Sequence, residues 1–491
     1  MSKSVLFLCG SPRGKRSASL ITASYLAHFL DHDYEFVNVA RASLSTDPAE
    51  AEPAFLEIVG KMQAAGAVIW TFGAWGSTVL VGMQYLLDKL FTQEGYDFCG
   101  RVAAAVMTSV GLRDDLILDR TRFLSGQLGF GYLGDVSAVG NPFWGYTMDV
   151  ERTEDSCRIL AGQMNRALAD GYVPARQYPP LERRYLSPRH RGSGFAVDGP
   201  AAPKDGDKTI LVITGHRLAE DPANASVVES IRRYSRNKVE VIALQGRNVG
   251  PCLGCYLCDF REEGLCVLKD EYEAIKRRLH EVDGIVYVGT CASGLVDCYL
   301  KAFLERTWGI SHRPSLKGRY GFAVATGGGP LEAEAGRHLR DTLNGHGARC
   351  IATLTPSAAV ASGFAATLRR TVEDLDRALD EEWQIADRFS TRAKSRVFRD
   401  LVAENGMTLR ADYKFYKENR MFDVPSPGGL NAALWWLFRS EKLRRRMMAI
   451  AASRVADARE RRLAAYLGSG GRLGRGTQIP GAEANTDGRI Q

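Results

Sequence analysis

One series of short apolar runs occurs twice in this chain, about 205 residues apart. In the first series, 5–9 (VLFLC) is followed by a turn and a helical pattern over 19–30. The runs 35–39, 67–71 (AVIWT) and 102–107 (VAAAVM) come next. In the second series the runs are 209–214 (TILVIT), 239–244, 284–289 (GIVYVG) and 321–326 (GFAVAT). Helical segments follow the third run of each series, at 83–90 (MQYLLDKL) and 298–306 (CYLKAFLER). Runs this short read as strands buried on both faces. Strands separated by helices imply a parallel sheet covered on both sides. A repeat this long is a duplicated domain and not a solenoid. The predicted fold is therefore α/β, with two tandem doubly wound parallel-sheet domains.

The division that follows is 1–180 for the first domain, 181–207 for a linker and 208–388 for the second domain. The linker is rich in Pro, Gly and Arg and reads as a surface arm. Strand signals stop near residue 388. A helical basic extension is expected over 389–467, and a disordered tail over 468–491. The net charge of +7 lies in this last part. From Thr391 onward there are 20 Lys and Arg against 10 Asp and Glu. Leu434-Trp435-Trp436-Leu437-Phe438 precedes an arginine-rich run, so 430–466 is either a helix packed on the body or a peripheral docking element for an anionic membrane or a protein. Nucleic acid is not expected, because no recognition module accompanies the arginines. No apolar stretch approaches the roughly 18 residues of a membrane span, and the N-terminus lacks a signal-peptide plan. A cytoplasmic location is expected, with a peripheral place at the inner membrane face as the variant that docking would add.

Two motifs carry chemistry. The first strand of the chain opens into Gly10-Ser11-Pro12-Arg13-Gly14-Lys15-Arg16-Ser17-Ala18-Ser19 before a helix. Open α/β sheets bind ligands at this point. The helix start offers free N–H groups to an anion. Ser11, Ser17 and Ser19 add hydroxyls and Arg13 a charged fork. The loop is neither GxxxxGK[ST] nor GxGxxG, so a monophosphate suits it better than a magnesium triphosphate. The plain alternative is a turn with Ser17 as helix cap. The second motif is Cys252-x2-Cys255-x2-Cys258-x7-Cys266, four of the 10 cysteines within 15 residues. Such a set is a soft-metal site. Successive x2 spacings suit a [4Fe–4S] cubane, whereas zinc more often takes separated pairs. A packed loop without metal and a CxxC thiol pair remain open. Cys9, Cys291 and Cys298 read as ordinary buried thiols.

In this order along the chain, the motifs resemble the NADPH-dependent FMN reductase family of the flavodoxin-like fold, over roughly 4–180 and 208–385. Gly289-Thr290-Cys291-Ala292-Ser293-Gly294 resembles the third-strand loop of that family, and Thr326-Gly327-Gly328-Gly329 its fourth-strand loop. The resemblance implies that both loops border an isoalloxazine ring. In the first copy the corresponding loops are Thr71-Phe72-Gly73-Ala74-Trp75-Gly76-Ser77 and Thr108-Ser109-Val110-Gly111. The first copy thus has the serine-rich phosphate loop, while the second has TGGG but reads Thr214-Gly215-His216-Arg217 after its first strand. The cysteine spacing resembles that of iron–sulfur flavoproteins within the family. The implied function is a flavin-dependent oxidoreductase with FMN, taking electrons from NAD(P)H, with a small-molecule or protein redox partner. Family members pair, so the fused copies are expected to form an internal pseudo-dimer that could itself dimerise. Two other classes compete: a non-enzymatic electron-transfer module docked to a partner, and a structural protein with decayed flavin sites. No catalytic side chain is singled out, since the flavin ring itself performs hydride chemistry.

Overall fold

The structure, a computed structural model, describes residues 4–422 except 15–16, 43, 45–46, 48–49, 75–77, 110–113, 142–145, 148–149, 256, 262–263, 359–362, 387–388 and 407–408, together with Leu443 and Arg446. The chain divides into two compact units, one of Met1–Ser45, Ala49–Pro180 and Arg445–Gln491 and the other of Thr46–Pro48 and Leu181–Arg444.

The first unit runs β1 (Val5–Cys9), α1 (Ala18–Ala27), β2 (Tyr34–Asn38), α2 (Pro53–Ala64), β3 (Ala67–Gly73), α3 (Val81–Thr92), β4 (Val102–Ser109), α4 (Asp114–Gln127), β5 (Gly131–Asn141), β6 (Tyr146–Thr147) and α5 (Val150–Asp170). Its sheet order is β2-β1-β3-β4-β5-β6, parallel except for the short β6. The central strands are buried except at Gly73, the last residue of β3, as their apolar runs predict. The edge strand β2 keeps its outer residues half-exposed, and Phe36 stacks on Phe7 at 4.3 Å.

The second unit runs β7 (Thr209–Thr214), α6 (Pro222–Tyr234), β8 (Lys238–Ala243), α7 (Leu257–Phe260), α8 (Tyr272–Glu281), β9 (Gly284–Ala292), β10 (Leu295–Val296), α9 (Cys298–Arg306), α10 (Trp308–His312), β11 (Tyr320–Thr326), α11 (Glu332–Gly345), β12 (Arg349–Leu354) and α12 (Phe364–Glu381). The order is β12-β11-β9-β7-β8, all parallel, with β10 folding back on β9. Counted within each unit, both main sheets read 2-1-3-4-5, the flavodoxin-like order. The crevice at the carboxyl ends of the first and third strands is therefore the ligand-binding position in each.

A buried ion pair recurs at matching places. In the first unit Lys89, near the end of α3, donates to Glu52 at the start of α2, 2.9 Å away. In the second, Arg306 at the end of α9 donates to Asp270 just before α8, also at 2.9 Å. Both cations are almost fully buried. The pair ties the helix after the third strand to the helix after the second, which is tertiary evidence for the duplication.

Two local expectations need correction. Residues 289–292 are strand and not loop, because β10 pairs with Cys291 and Ala292 and extends the ladder. The turn is confined to Ser293 and Gly294, both at positive φ. Likewise Thr71, Phe72 and Gly73 belong to β3. The extension starts with α13 (Phe389–Glu404) and α14 (Arg410–Glu418), which bury Phe398, Val402 and Tyr416 against the second unit. Asp412 is buried there between His312 Nδ1 at 2.9 Å and Arg313 Nε at 3.0 Å. The expected docking helix over 430–466 lies outside the described residues apart from Leu443 and Arg446. Among the described residues no helix is long and apolar enough to cross a membrane.

Candidate functional site

In the first unit, β1 delivers the chain into a loop closed by its own backbone. Gly14 N donates to Ser11 O at 3.3 Å, and Ser17 N donates to Gly14 O at 2.9 Å. Gly14 has φ +54°, which allows the reversal before α1. Ser17 stands at the N-cap of α1, but its side chain makes no capping bond. Its Oγ lies 2.7 Å from Ser19 Oγ instead. Ser11, Ser17 and Ser19 are all buried. The first-turn N–H groups of a helix have no intrahelical partner, so hydroxyls and amides share one small region.

A cation that local sequence reasoning missed joins them. Arg41 follows β2, and its Nε donates to Pro12 O at 3.0 Å. Its guanidinium lies against Gly14, where a Cβ would come within 2.9 Å of Cζ. Asn38 holds both sides, with Nδ2 donating to Ser11 O and Oδ1 accepting from Arg41 N. Arg13 is half-buried on the same loop.

At the end of β3, Gly10 N donates to Thr71 O and Ala74 N to Thr108 O, both at 2.8 Å. Thr71 is fully buried, and its Oγ1 has no hydrogen-bond partner among the described residues. Phe72 is buried, while Gly73 and Ala74 are half-buried beside it. Trp75 lies outside the described residues, as do Gly76 and Ser77. At the end of β4, Ser109 Oγ and Ser137 Oγ both donate to Asp114 Oδ2, at 2.7 and 2.6 Å. A loop of serine hydroxyls, helix N–H groups and two arginines fits a phosphate, and an unsatisfied buried hydroxyl next to it fits a polar edge of a flavin ring.

The corresponding crevice of the second unit is arranged differently. Asp221 caps α6, accepting from Asn224 N at 3.1 Å and from Asn224 Nδ2 at 2.9 Å. It also accepts from Thr290 Oγ1. Asn224 Oδ1 accepts from Thr326 Oγ1 at 2.8 Å. Asp297 caps α9, and a Cβ added at Gly215 would fall within its carboxyl group. All of these side chains are buried. Over them passes the chain expected to be a linker. Ser293 Oγ donates to Leu186 O at 2.7 Å, and Phe195 N donates to Ser226 Oγ at 3.0 Å. Gly327, at φ +85°, faces His190 O and Gly192 N, while a Cβ on Gly329 would overlap the Tyr185 ring. Gly328 packs on Cys291. The TGGG loop does provide close backbone approach, and here the approaching groups belong to the chain itself.

The cysteine loop lies between β8 and α8, with Cys258 on α7. Arg306 ties its two ends together, donating to Gly250 O at 3.2 Å and to Asp270 at 2.9 Å. Arg313 Nη2 donates to Cys258 O at 2.7 Å. Cys252, Cys255, Cys258 and Cys266 are all half-buried. Burial pushes the Cys252 thiol well up, and the nearby Glu305, Cys255 and Cys266 add to this against one bond from Gly254 N. Among the described residues no three His, Cys, Asp or Glu side chains already converge as a metal site. Cys9, by contrast, is an ordinary core thiol, pushed up to about 12 by burial. Cys291 and Cys298 are buried as well.

Residues 209–364, the body of the second unit, match the family described as NADPH-dependent FMN reductase. The second unit is similar to that family over this span. An iron-sulfur flavoprotein of Archaeoglobus fulgidus is 27% identical over 194 residues, covering 37% of this chain and 84% of that protein. An iron-sulfur flavoprotein of Methanocaldococcus jannaschii is 30% identical over 133 residues, covering 27% of this chain and 61% of that protein, less than two thirds of its length. Among solved structures, an NAD(P)H:quinone oxidoreductase from Methanothermobacter marburgensis aligns at 19% identity and a TM-score of 0.25, over 35% of this chain and 96% of its own.

The likeness of the second unit to FMN reductases was legible through GGG, LKAFLER and the cysteine spacing. Asp221, Arg306 and the overlying segment were not, because each acts through contacts distant in sequence. The Asp221-Pro222 pair at a helix start was the available signal, a capping acid followed by proline at the first helical position.

Proposed function

We propose that this protein oxidises NAD(P)H with one FMN held on its first unit, and passes electrons through an iron–sulfur cluster in its cysteine loop to a small-molecule or protein acceptor. The observation that carries this reading is the first-unit crevice, where three buried serines, the start of α1 and a buried Thr71 hydroxyl that has no partner among the described residues lie at the ends of β1 and β3. Ser11, Ser17 and Ser19 would donate to the phosphate, with Arg13 and Arg41 neutralising its charge. Thr71, Phe72, Gly73 and Ala74 would border the ring. When bound, FMN supplies the two-electron chemistry.

The cysteine loop has the donor chemistry for a [4Fe–4S] cluster, which would supply one-electron transfer. Cys252, Cys255, Cys258 and Cys266 would hold it. A buried thiol whose ionisation is disfavoured becomes a thiolate readily only beside a cation, and Arg306 and Arg313 are already placed along the loop. The likeness to two iron-sulfur flavoproteins supports the same assignment.

Anaerobic purification is expected to give one FMN and about four irons per chain, with broad visible absorption bleached by dithionite and steady-state NAD(P)H oxidation. Protein that takes up no FMN on incubation would remove the flavin reading. Reconstituted protein holding no iron, or stoichiometric zinc, would remove the cluster while leaving the flavin.

A further inference from the structure

The part of the chain that matches the FMN reductase family, residues 209–364, has backbone of residues 185–195 lying over the ends of its strands. We infer that residues 185–195 form a built-in strap that seals the flavin crevice of the second unit, and that Asp221 takes the place of the flavin phosphate, leaving this unit free of flavin.

Three independent observations meet here. The first is steric. A methyl group placed on Gly327 would lie 3.0 Å from His190 O and 3.3 Å from Gly192 N. Apolar atoms pack at about 3.5–4.0 Å, so an aromatic ring cannot enter between the glycine loop and the strap. At the far end of the loop, the Tyr185 ring already covers Gly329.

The second concerns the phosphate position. Asp221 occupies the N-terminus of α6 and satisfies its Asn224 N–H. An acidic side chain at this end is itself favoured by the helix dipole, and it repels a second anion. The neighbouring hydroxyls at the ends of β9 and β11 are committed as well: Thr290 donates to Asp221, and Thr326 donates to Asn224. A fully satisfied buried network of this kind is costly to break.

The third is anchoring. The strap is fixed at both ends and along its length. Ser293 N and Oγ donate to Tyr185 O and Leu186 O. Arg191 Nη2 lies 3.5 Å from His216 Nδ1, on the loop after β7. Phe195 N donates to Ser226 Oγ, and the Phe195 ring meets Phe364 edge-on at 5.3 Å. The strap therefore crosses the ends of β9, β11 and β7 in turn, which is the path a flavin mononucleotide would follow from ring to phosphate.

This inference goes beyond the proposed function and does not depend on it. The test uses the unmodified full chain. It combines titration with excess FMN and amide hydrogen exchange, with and without FMN. The expected result is a single FMN equivalent per chain. The amides of Phe195 and Ser293 should exchange slowly whether or not FMN is present, and residues 327–331 should show no flavin-dependent protection. Uptake of two equivalents would overturn the strap, as would FMN-dependent protection of 327–331, faster exchange of Phe195 on adding FMN, or fast exchange of Phe195 and Ser293 in its absence. Protection on FMN addition confined to 11–19 supports both readings. A chain that binds no FMN but keeps Phe195 and Ser293 slow would sink the first-unit flavin site and leave the strap standing.

Discussion

Arg13→Ala combined with Ser17→Ala is expected to weaken FMN binding by about two to four orders of magnitude. Hydrogen bonds to charged groups contribute about 1.5–3 kcal/mol each, and each 1.4 kcal/mol is about tenfold in affinity. Ser17 is buried at the head of α1 with its hydroxyl uncommitted to capping, so the substitution removes a donor without removing a helix cap. The fold should survive, because the loop is closed by backbone bonds from Gly14 N and Ser17 N. Flavin fluorescence quenching against the wild-type chain measures the change. An unaltered dissociation constant would place the flavin elsewhere.

Arg306→Met is expected to destabilise the second unit by about 3–5 kcal/mol, the usual cost of breaking a buried ion pair from one side. Arg306 and Asp270 side chains are 1% and 9% exposed, so solvent replaces little of what is lost. Burial by itself would raise the Asp270 carboxyl, but the bonds from Arg306 and Gly250 N outweigh it and hold the group below its ordinary value. The sign of the pH dependence follows. A depressed folded-state carboxyl binds fewer protons than the unfolded one, so its stabilisation is complete above the unfolded value near 3.8 and is lost as pH falls through and below it. Urea unfolding should therefore show a wide gap between wild type and variant at neutral pH that narrows below about pH 4. The matching change Lys89→Met in the first unit should cost less, since its partner Glu52 is 17% exposed and can be solvated. Equal losses, or a gap independent of pH, would contradict the assignment of Arg306 as the clasp of the cysteine loop.

Much of the architecture was open to local reading. Each strand of a doubly wound sheet is buried on both faces, so it must be written as a run of apolar residues, and such runs stand out between amphipathic helices. The runs at 5–9 and 209–214 coincide with β1 and β7 for this reason, and 298–306 coincides with α9. The serine-rich loop and the four clustered cysteines were equally visible, because the residues of each site are close in sequence.

What local reading could not reach was the use made of each loop. A Thr-Gly-Gly-Gly turn permits any group to come close to the backbone, and nothing in those four residues says whether that group is a flavin or the chain's own Gly192. The segment 181–207 has the composition of a linker, and its polar, Pro- and Gly-rich character hides the fact that its backbone is held by Ser293 and Ser226, residues more than 30 positions away. Arg41 and Arg306 were ordinary charges until the sheet brought one onto Gly14 and the other between Gly250 and Asp270. The sequence alone determined two flavodoxin-like sheets, a phosphate-type loop in the first unit and a thiol cluster in the second, because periodicity and short-range spacing encode these directly. Only the tertiary structure decided what meets the glycine loop of the second unit, since steric filling and charge pairing depend on residues that come together after the sheet has formed.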